Sequence, residues 1–193
     1  VWHSDTKKII GLGSAKYSVL MHRPGCQEQK AQWWIEALIK AVREAIVSAK
    51  INPKDIKAIG VSGQQHGLVA LDHQDQVVRD VKLWCDTEGT LALEKFESKQ
   101  LYPLHKELGI HVPVAFTIAK LLWLKQSEPH LFSRIRKVLL PHEYINFWFT
   151  GNYRAEHGDA SGTGYFNTYS RSQPILNQLN FHHDFTLPEL IQS

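Results

Sequence analysis

An α/β fold with a mixed sheet flanked by helices is the architecture this sequence predicts, and three observations predict it. Short apolar runs of strand length stand toward both ends of the 193-residue chain. Helical periodicity dominates the middle, and Pro, Gly and Asn signals separate the segments. Strands first, then helices, then strands again is the order of a layered α/β structure. Composition agrees with one folded unit: 43% of the residues are hydrophobic, enough for a sizeable core, and 21% are charged. Disorder would require low hydrophobicity with high net charge, and neither is present.

The elements follow in order. Val1-Trp2 reads as the tail of a strand, His3 to Lys7 as a polar turn, and Lys8 to Val19 as an extended segment. Arg23-Pro24-Gly25 is a turn signal. Trp34, Leu38, Ala41, Val42, Ala45 and Ala49 then recur at helical spacing, with Glu36, Lys40, Arg43 and Glu44 mostly opposite, and Asn52-Pro53 ends that amphipathic helix. Ile56 to Val61, Leu68 to Leu71 and Val81 to Trp84 are short strand candidates. From about Thr87 to Thr150 the pattern is largely helical. Ile118, Leu121, Leu122 and Leu124 mark one helix, and Glu128-Pro129 opens the next. Lys137 to Leu140 is a buried-strand candidate leading into a helix around Tyr144 to Phe149, closed by Gly151-Asn152. Beyond it the chain is Gly-rich and then extended. The first strand pair is too short to hold an edge and Leu187 to Ile191 stops without a tail, so the chain reads as a piece cut from something larger.

Composition also excludes several function classes. The net charge of +3 is mild, acidic residues are interleaved, and no block of basic residues occurs, so no nucleic-acid partner is expected. No run approaches the roughly 20 apolar residues that cross a bilayer, so no membrane partner is expected either. Cys26 and Cys85 are the two cysteines, with no CxxC pair, which argues against a disulfide scaffold. The N-terminus has no basic flank before an apolar stretch and no Asn-x-Ser/Thr sequon occurs, so a cytoplasmic location is expected.

Several motifs fail on inspection. Gly60-Val61-Ser62-Gly63 is followed by Gln64, so the nucleophile-elbow pattern is broken. His142-Glu143 begins like a zinc-protease helix, but Asn146 stands where the second His is needed. Gly11-Leu12-Gly13 lacks the third glycine of a dinucleotide loop. His182-His183-Asp184 could ligate a metal, but adjacent loop histidines usually point apart; no metal site is expected.

Three segments remain. Ser62-Gly63-Gln64-Gln65-His66-Gly67 lies between two strand candidates, where open α/β sheets place ligands. Gln offers donor and acceptor, His a switchable partner and Gly a close backbone approach. Without Lys or Arg this set suits a polyhydroxylated ligand better than an anion; a hydrated turn that satisfies itself is the alternative. Leu83-Trp84-Cys85-Asp86 pairs an aromatic face with a carboxylate, as a sugar site would, or is a core Trp beside a helix N-cap Asp. Gly158 to Gly164 is rich in small residues and reads as a tight turn buried under the sheet.

Taken together, these segments resemble the N-terminal domain of the FGGY carbohydrate kinases. The likeness runs through Ser62 to Gly67, Trp84-Cys85-Asp86, Phe116-Thr117 with Lys120 to Trp123, Val138 to Tyr144, Thr150-Gly151 and Asp159 to Thr163, in the same order. Arg23-Pro24-Gly25, Glu28-Gln29 and Trp33-Trp34 fit the family's entry to its first long helix. Within the family, Gly63-Gln64-Gln65-His66-Gly67 is similar to the loop of the xylulokinase type.

The resemblance implies an actin-like, ribonuclease-H-like ATPase fold of two domains, with residues 1–193 as part of the first, sugar-binding one. It implies ATP-dependent phosphorylation of D-xylulose to D-xylulose 5-phosphate by a parent protein. Another ketose, gluconate, or a non-catalytic sugar-binding module are the alternatives. ATP and Mg²⁺ would sit mainly on a nucleotide-binding second domain that this chain lacks, and the parent protein would be a homodimer. Gln65 and His66 carry the sugar-binding role over, and Trp84 and Asp86 a weaker, cleft-shaping one. No catalytic residue is expected here: the phosphate hairpin should precede Val1 and the general-base aspartate should follow Ser193. The chain alone is expected to have no phosphotransferase activity and to be marginally stable.

Overall fold

The computed structural model describes residues 1–99, 104–166, 172–182 and 184–192. β1 (Trp2–His3) and β2 (Lys8–Ile9) form an antiparallel pair, with Trp2 opposite Ile9. β3 (Glu28–Gln29) leads into the long helix α1 (Ala31–Ala49). α1 begins one turn ahead of the Trp34 periodicity and buries Ala31, Trp34 and Ile35. It stops at Lys50, whose φ of 54° is left-handed, before the 3₁₀ turn Pro53–Asp55. Gly11 and Gly13 lie against it: a Cβ on Gly13 would come 2.0 Å from the carbonyl oxygen of Ala41. Only a residue without a side chain lets the two backbones approach so closely.

β4 (Val69–Leu71) and β5 (Val81–Lys82) follow, then α2 (Thr90–Lys99), α3 (Leu104–Leu108), α4 (Thr117–Ser127) and α5 (Pro129–Phe132), which has proline in its first turn. β6 (Lys137–Leu139), α6 (Pro141–Thr150), β7 (Arg154–Glu156), α7 (His157–Ser161), α8 (Gln173–Leu179) and β8 (Glu189–Ile191) complete the order. α6 starts on proline, where a missing N–H costs nothing, and ends at Gly151 with φ 70°.

The strand pairings are mixed, as the α/β reading requires: β3–β5 and β4–β6 are antiparallel, β7–β8 parallel. Single bridges, Leu68 to Lys82 and Lys137 to Thr186, tie these ladders together. β4 divides the interior. Leu68 and Ala70 face a core with Ile118, Leu121, Ile135 and Val138, while Val69 and Leu71 face Ala31, Trp34, Val81 and Leu139. That alternation is the two-residue period of a strand buried on both faces.

Three expectations are corrected. Ile56 to Val61 forms no strand: it has no ladder partner among the described residues, and Ile59 is exposed, which leaves this backbone open to solvent. Among the described residues, the extended run from Lys8 to Val19 enters a ladder only at Lys8–Ile9, and the Leu20–Glu28 bridge lies just past its end. The stretch from Gly158 to Gly164 holds most of the five-residue helix α7 (His157–Ser161) rather than only a tight turn, because the Glu156 side chain accepts from Asp159 N–H at 3.0 Å and caps it.

Candidate functional site

The loop preceding β4 is held by three other elements. Gln64 donates from Nε2 to Gln29 Oε1 at 3.3 Å, and the same oxygen accepts from the Trp34 indole at 2.9 Å, fastening the loop to the start of α1. Gln65 donates from Nε2 to Asp159 Oδ1 on α7. His66 places Nδ1 2.9 Å from the carbonyl oxygen of Gly162, and its own carbonyl accepts from Thr117 Oγ1 at 3.2 Å.

His66 itself is strained. Its φ is 62°, a left-handed value that costs a non-glycine residue about 1–3 kcal/mol and persists where the surroundings over-determine it. The determinants are visible. Phe116 stacks on the imidazole at 4.9 Å between centroids, and a Cβ on Gly162 would meet His66 Cε1 at 2.8 Å. The ring is thus clamped between α4's first turn and the end of α7. Burial pushes the imidazole pKa down, opposed by the Gly162 carbonyl, so the ring is neutral at pH 7.

Beside the loop, a cleft of about 370 Å³ opens between Gly13–Ala15, the Trp34–Ala41 face of α1, residues 61–64 and His142. His142 Nε2 lies 2.9 Å from Asp159 Oδ2, off the alignment of a good hydrogen bond, so Asp159 links the cleft wall to Gln65. Neighbouring Glu143 is 5% exposed; its Oε2 accepts from Leu140 N–H at 2.7 Å while Oε1 has no partner. Burial raises the Glu143 carboxyl to about 8, so it is largely protonated at neutral pH. Among the residues lining the cleft there is no Lys or Arg, so it offers hydroxyl-binding groups and no positive charge for a triphosphate.

Asp86 lies in a different arrangement. It is 1% exposed and accepts from Lys82 Nζ at 3.0 Å, from Gln27 N–H at 2.9 Å and from Glu88 N–H at 3.2 Å. Lys82 Nζ also reaches Glu28 at 3.0 Å and Glu88, and stands 3.9 Å above the Trp123 ring. Trp84 is 54% exposed, which overturns the alternative that made it a core residue; Trp34 and Trp123 supply the buried or half-buried indoles instead. Among the described residues, no hydrogen bond or ion pair joins Trp84 or Asp86 to Gln65 or His66.

Among the described residues, no cluster fits a magnesium ion. Cys26, Glu28, Asp86 and Glu88 bring ligand atoms within 4.8 Å of one another, yet the Lys82 ammonium already lies among the three carboxylates, and Arg79 and Arg23 supply the two further charges that balance them. His182 faces Asp184 at 2.5 Å, and that carboxylate is shared with Arg136 at 2.6 Å; His183 lies outside the described residues.

Sequence reasoning missed Asp159, Gly162 and His142 as partners of the loop. Asp159 and Gly162 were legible only as a small-residue stretch, and nothing in the spacing says that two segments nearly a hundred positions apart meet. Phe116-Thr117 stood in the motif list without a contact to explain it; the His66 clamp is that contact.

The model for the N-terminal domain of the FGGY family of carbohydrate kinases matches residues 1–193. The xylulose kinase of Haemophilus influenzae is 40% identical over 207 residues, covering 100% of this chain and 41% of that protein. Among solved structures, a xylulose kinase from Brucella ovis superposes with a TM-score of 0.86 at 30% identity, over 97% of this chain and 39% of that one. A gluconate kinase from Lactobacillus acidophilus gives 0.80 at 26% identity, over 92% of this chain and 36% of that one. The chain therefore spans about two-fifths of the length of the relatives it matches. These relatives carry the actin-like ATPase fold that the resemblance implied. Matched along its whole length by that family model, the chain belongs to the FGGY family of carbohydrate kinases and corresponds to its N-terminal domain.

Proposed function

We propose that this chain supplies the sugar-binding part of an ATP-dependent kinase that converts D-xylulose to D-xylulose 5-phosphate. The observation that carries the reading is the clamped loop. Gln65 and His66 are held by Asp159, Gly162 and Phe116 in a strained geometry beside an open cleft without cationic side chains. Strain of this kind collects at ligand sites, and neutral acceptors suit hydroxyl groups. The 40% identity to a xylulose kinase favours that sugar, and the likeness to a gluconate kinase makes gluconate the rival.

Phosphoryl transfer depends on positioning and charge neutralisation more than on covalent chemistry from the protein. In this reading residues 62–67 orient the sugar. ATP provides the phosphoryl group when bound, and the nucleotide site and general-base aspartate belong to a part of the protein outside residues 1–193. Trp84 and Asp86 act at a distance, Asp86 by fixing the turn that carries Trp84. A cytoplasmic sugar kinase is consistent with the described residues, none of whose helices is long and apolar enough to cross a membrane.

The test is a coupled kinase assay on the full-length protein, with D-xylulose, other ketoses and gluconate, alongside His66→Ala. The expected result is the highest kcat/KM for D-xylulose and a loss of about ten- to a hundred-fold in the variant, as for one or two polar contacts. Preference for gluconate would replace the substrate, and absence of any turnover would make the chain part of a binding protein.

A further inference from the structure

We propose that Lys120 is a positioning residue for His66: its buried ammonium gathers the carbonyls of Val114, Ala115 and Phe116, and so fixes the turn from which Phe116 and Thr117 clamp the histidine. For sugar binding, this rests on the reading that the loop of residues 62–67 meets the sugar.

Lys120 lies in the first half of α4 and folds its side chain back over the helix start. It is 1% exposed, and its Nζ donates to the Ala115 carbonyl at 2.6 Å, with the carbonyls of Val114 and Phe116 each at 3.4 Å. These three carbonyls are its hydrogen-bond partners among the described residues. Burial pushes its pKa down to about 8, against the opposing pull of Asp86, so the side chain still carries its charge at pH 7. A cation near a helix N-terminus is unfavourable by itself, and burying it adds to the cost. The bonds to the turn are what offset both.

The turn needs that cation. Carbonyl oxygens that converge on one point repel one another, and a charge at their focus turns the repulsion into attraction. Phe116, the N-cap residue of α4, has no side-chain oxygen to organise the helix start. Its N–H closes on the Pro113 carbonyl at 3.0 Å, which sets the width of the turn, while Lys120 sets where the next carbonyls point.

The peptide planes so fixed flank Phe116 and Thr117. Phe116 stacks on the His66 ring at 4.9 Å between centroids, and the Thr117 hydroxyl donates to the His66 carbonyl at 3.2 Å. Both contacts hold a residue whose φ of 62° would otherwise relax. The Gly162 carbonyl, the remaining hold on the ring, comes from the end of α7 and is independent of Lys120.

The test uses the full-length protein. Lys120→Met keeps a long unbranched side chain in the same space and removes the ammonium. The KM for D-xylulose should rise about five- to ten-fold, with the KM for ATP within about two-fold of the native value. The Cε1 proton of His66, assigned by its loss in His66→Gln, lies in the ring current of Phe116. Its signal should move in Lys120→Met in the same direction as in Phe116→Leu. Combining Lys120→Met with Phe116→Leu should raise the sugar KM by less than about two-fold beyond the larger single effect, since both act through one contact. A lysine that only supports the fold would lower the melting temperature and leave the His66 signal in place. That outcome, or additive effects of the two substitutions, overturns the proposal. If Lys120→Met does not fold, Lys120→Gln, shorter and uncharged, is read in the same way; failure of both to fold makes Lys120 a support of the fold and overturns the proposal as well. A shifted His66 signal with an unchanged sugar KM, or with no sugar bound by the native protein, defeats the functional reading and leaves the positioning of His66 standing.

Discussion

The ammonium of Lys82 stands 3.0 Å from the carboxylate of Asp86, and neither side chain is reached by solvent. Glu28 and Glu88 close around the same nitrogen, Arg79 balances Glu28 at 2.8 Å, and Arg23 balances Glu88. Each carboxyl of Glu28 and Glu88 is desolvated, which alone would raise its pKa, but the cations outweigh this and hold both below the usual range. Removing one partner from such a network leaves charges buried and unpaired, which costs roughly 3–5 kcal/mol. Lys82→Met is expected to destabilise by that order in urea titration. A loss under about 1 kcal/mol would show that the network is not held as described.

A second prediction concerns Glu143. Its carboxyl is neutral in the folded state below about 8, whereas the unfolded chain ionises near the ordinary 4.5. The stability this protonation represents is complete below 4.5 and is lost as pH rises toward 8. Glu143→Gln keeps an acceptor for Leu140 N–H without the titration. Its advantage over the native chain should grow between these limits and reach roughly 3 kcal/mol at pH 7, at 1.36 kcal/mol per pH unit. Parallel melting curves at pH 5 and pH 8 check it; equal gaps at both would remove the buried-acid assignment.

Gly162 gives the third. A methyl there meets His66 Cε1 at 2.8 Å, and the imidazole must leave its place beneath Phe116 to make room. Gly162→Ala should raise KM for the sugar by about ten-fold with a smaller effect on kcat, since only the orienting contact moves. An unchanged KM would place His66 away from the ligand.

Gly13 gives the fourth. An added Cβ would overlap the Ala41 carbonyl and come 2.7 Å from Ala45 N, both backbone atoms of α1 that cannot step aside. Gly13→Ala should cost about 1–3 kcal/mol, as overpacking does. Circular dichroism melts resolve that loss, and a neutral substitution would mean that the segment does not lie on α1.

Much of this architecture was legible in the sequence, and the reasons differ by element. α1 and α4 carry their own periodicity, β4 is a run of consecutive apolar residues buried on both faces, and Val81, Val138 and Leu139 mark β5 and β6 in the same way. Ile56 to Val61 has the same apolar look as those runs but no ladder partner, and pairing is a property of two segments. Gln65 and His66 were legible as residue types; what orients them, Asp159 and Gly162, lies 94 and 96 positions away. The sequence leaves Asp86 open between a carboxylate for hydroxyls and a helix N-cap, and neither reading contains Lys82, four residues earlier, which takes it up because burial makes a charge seek its opposite.

β4 is three residues long and touches both cores. Its amides can exchange with solvent only when the packing on both sides is breached, so they should be among the slowest in the chain. The loop of residues 62–67 enters that strand directly at Gly67, a buried glycine whose added Cβ would strike Pro141 at 2.7 Å. Loosening either core, by heat or by mutation, therefore reaches the loop before it reaches the exposed helical surface. Loss of sugar recognition should track the protection of Val69 to Leu71 rather than overall helicity as the protein is warmed.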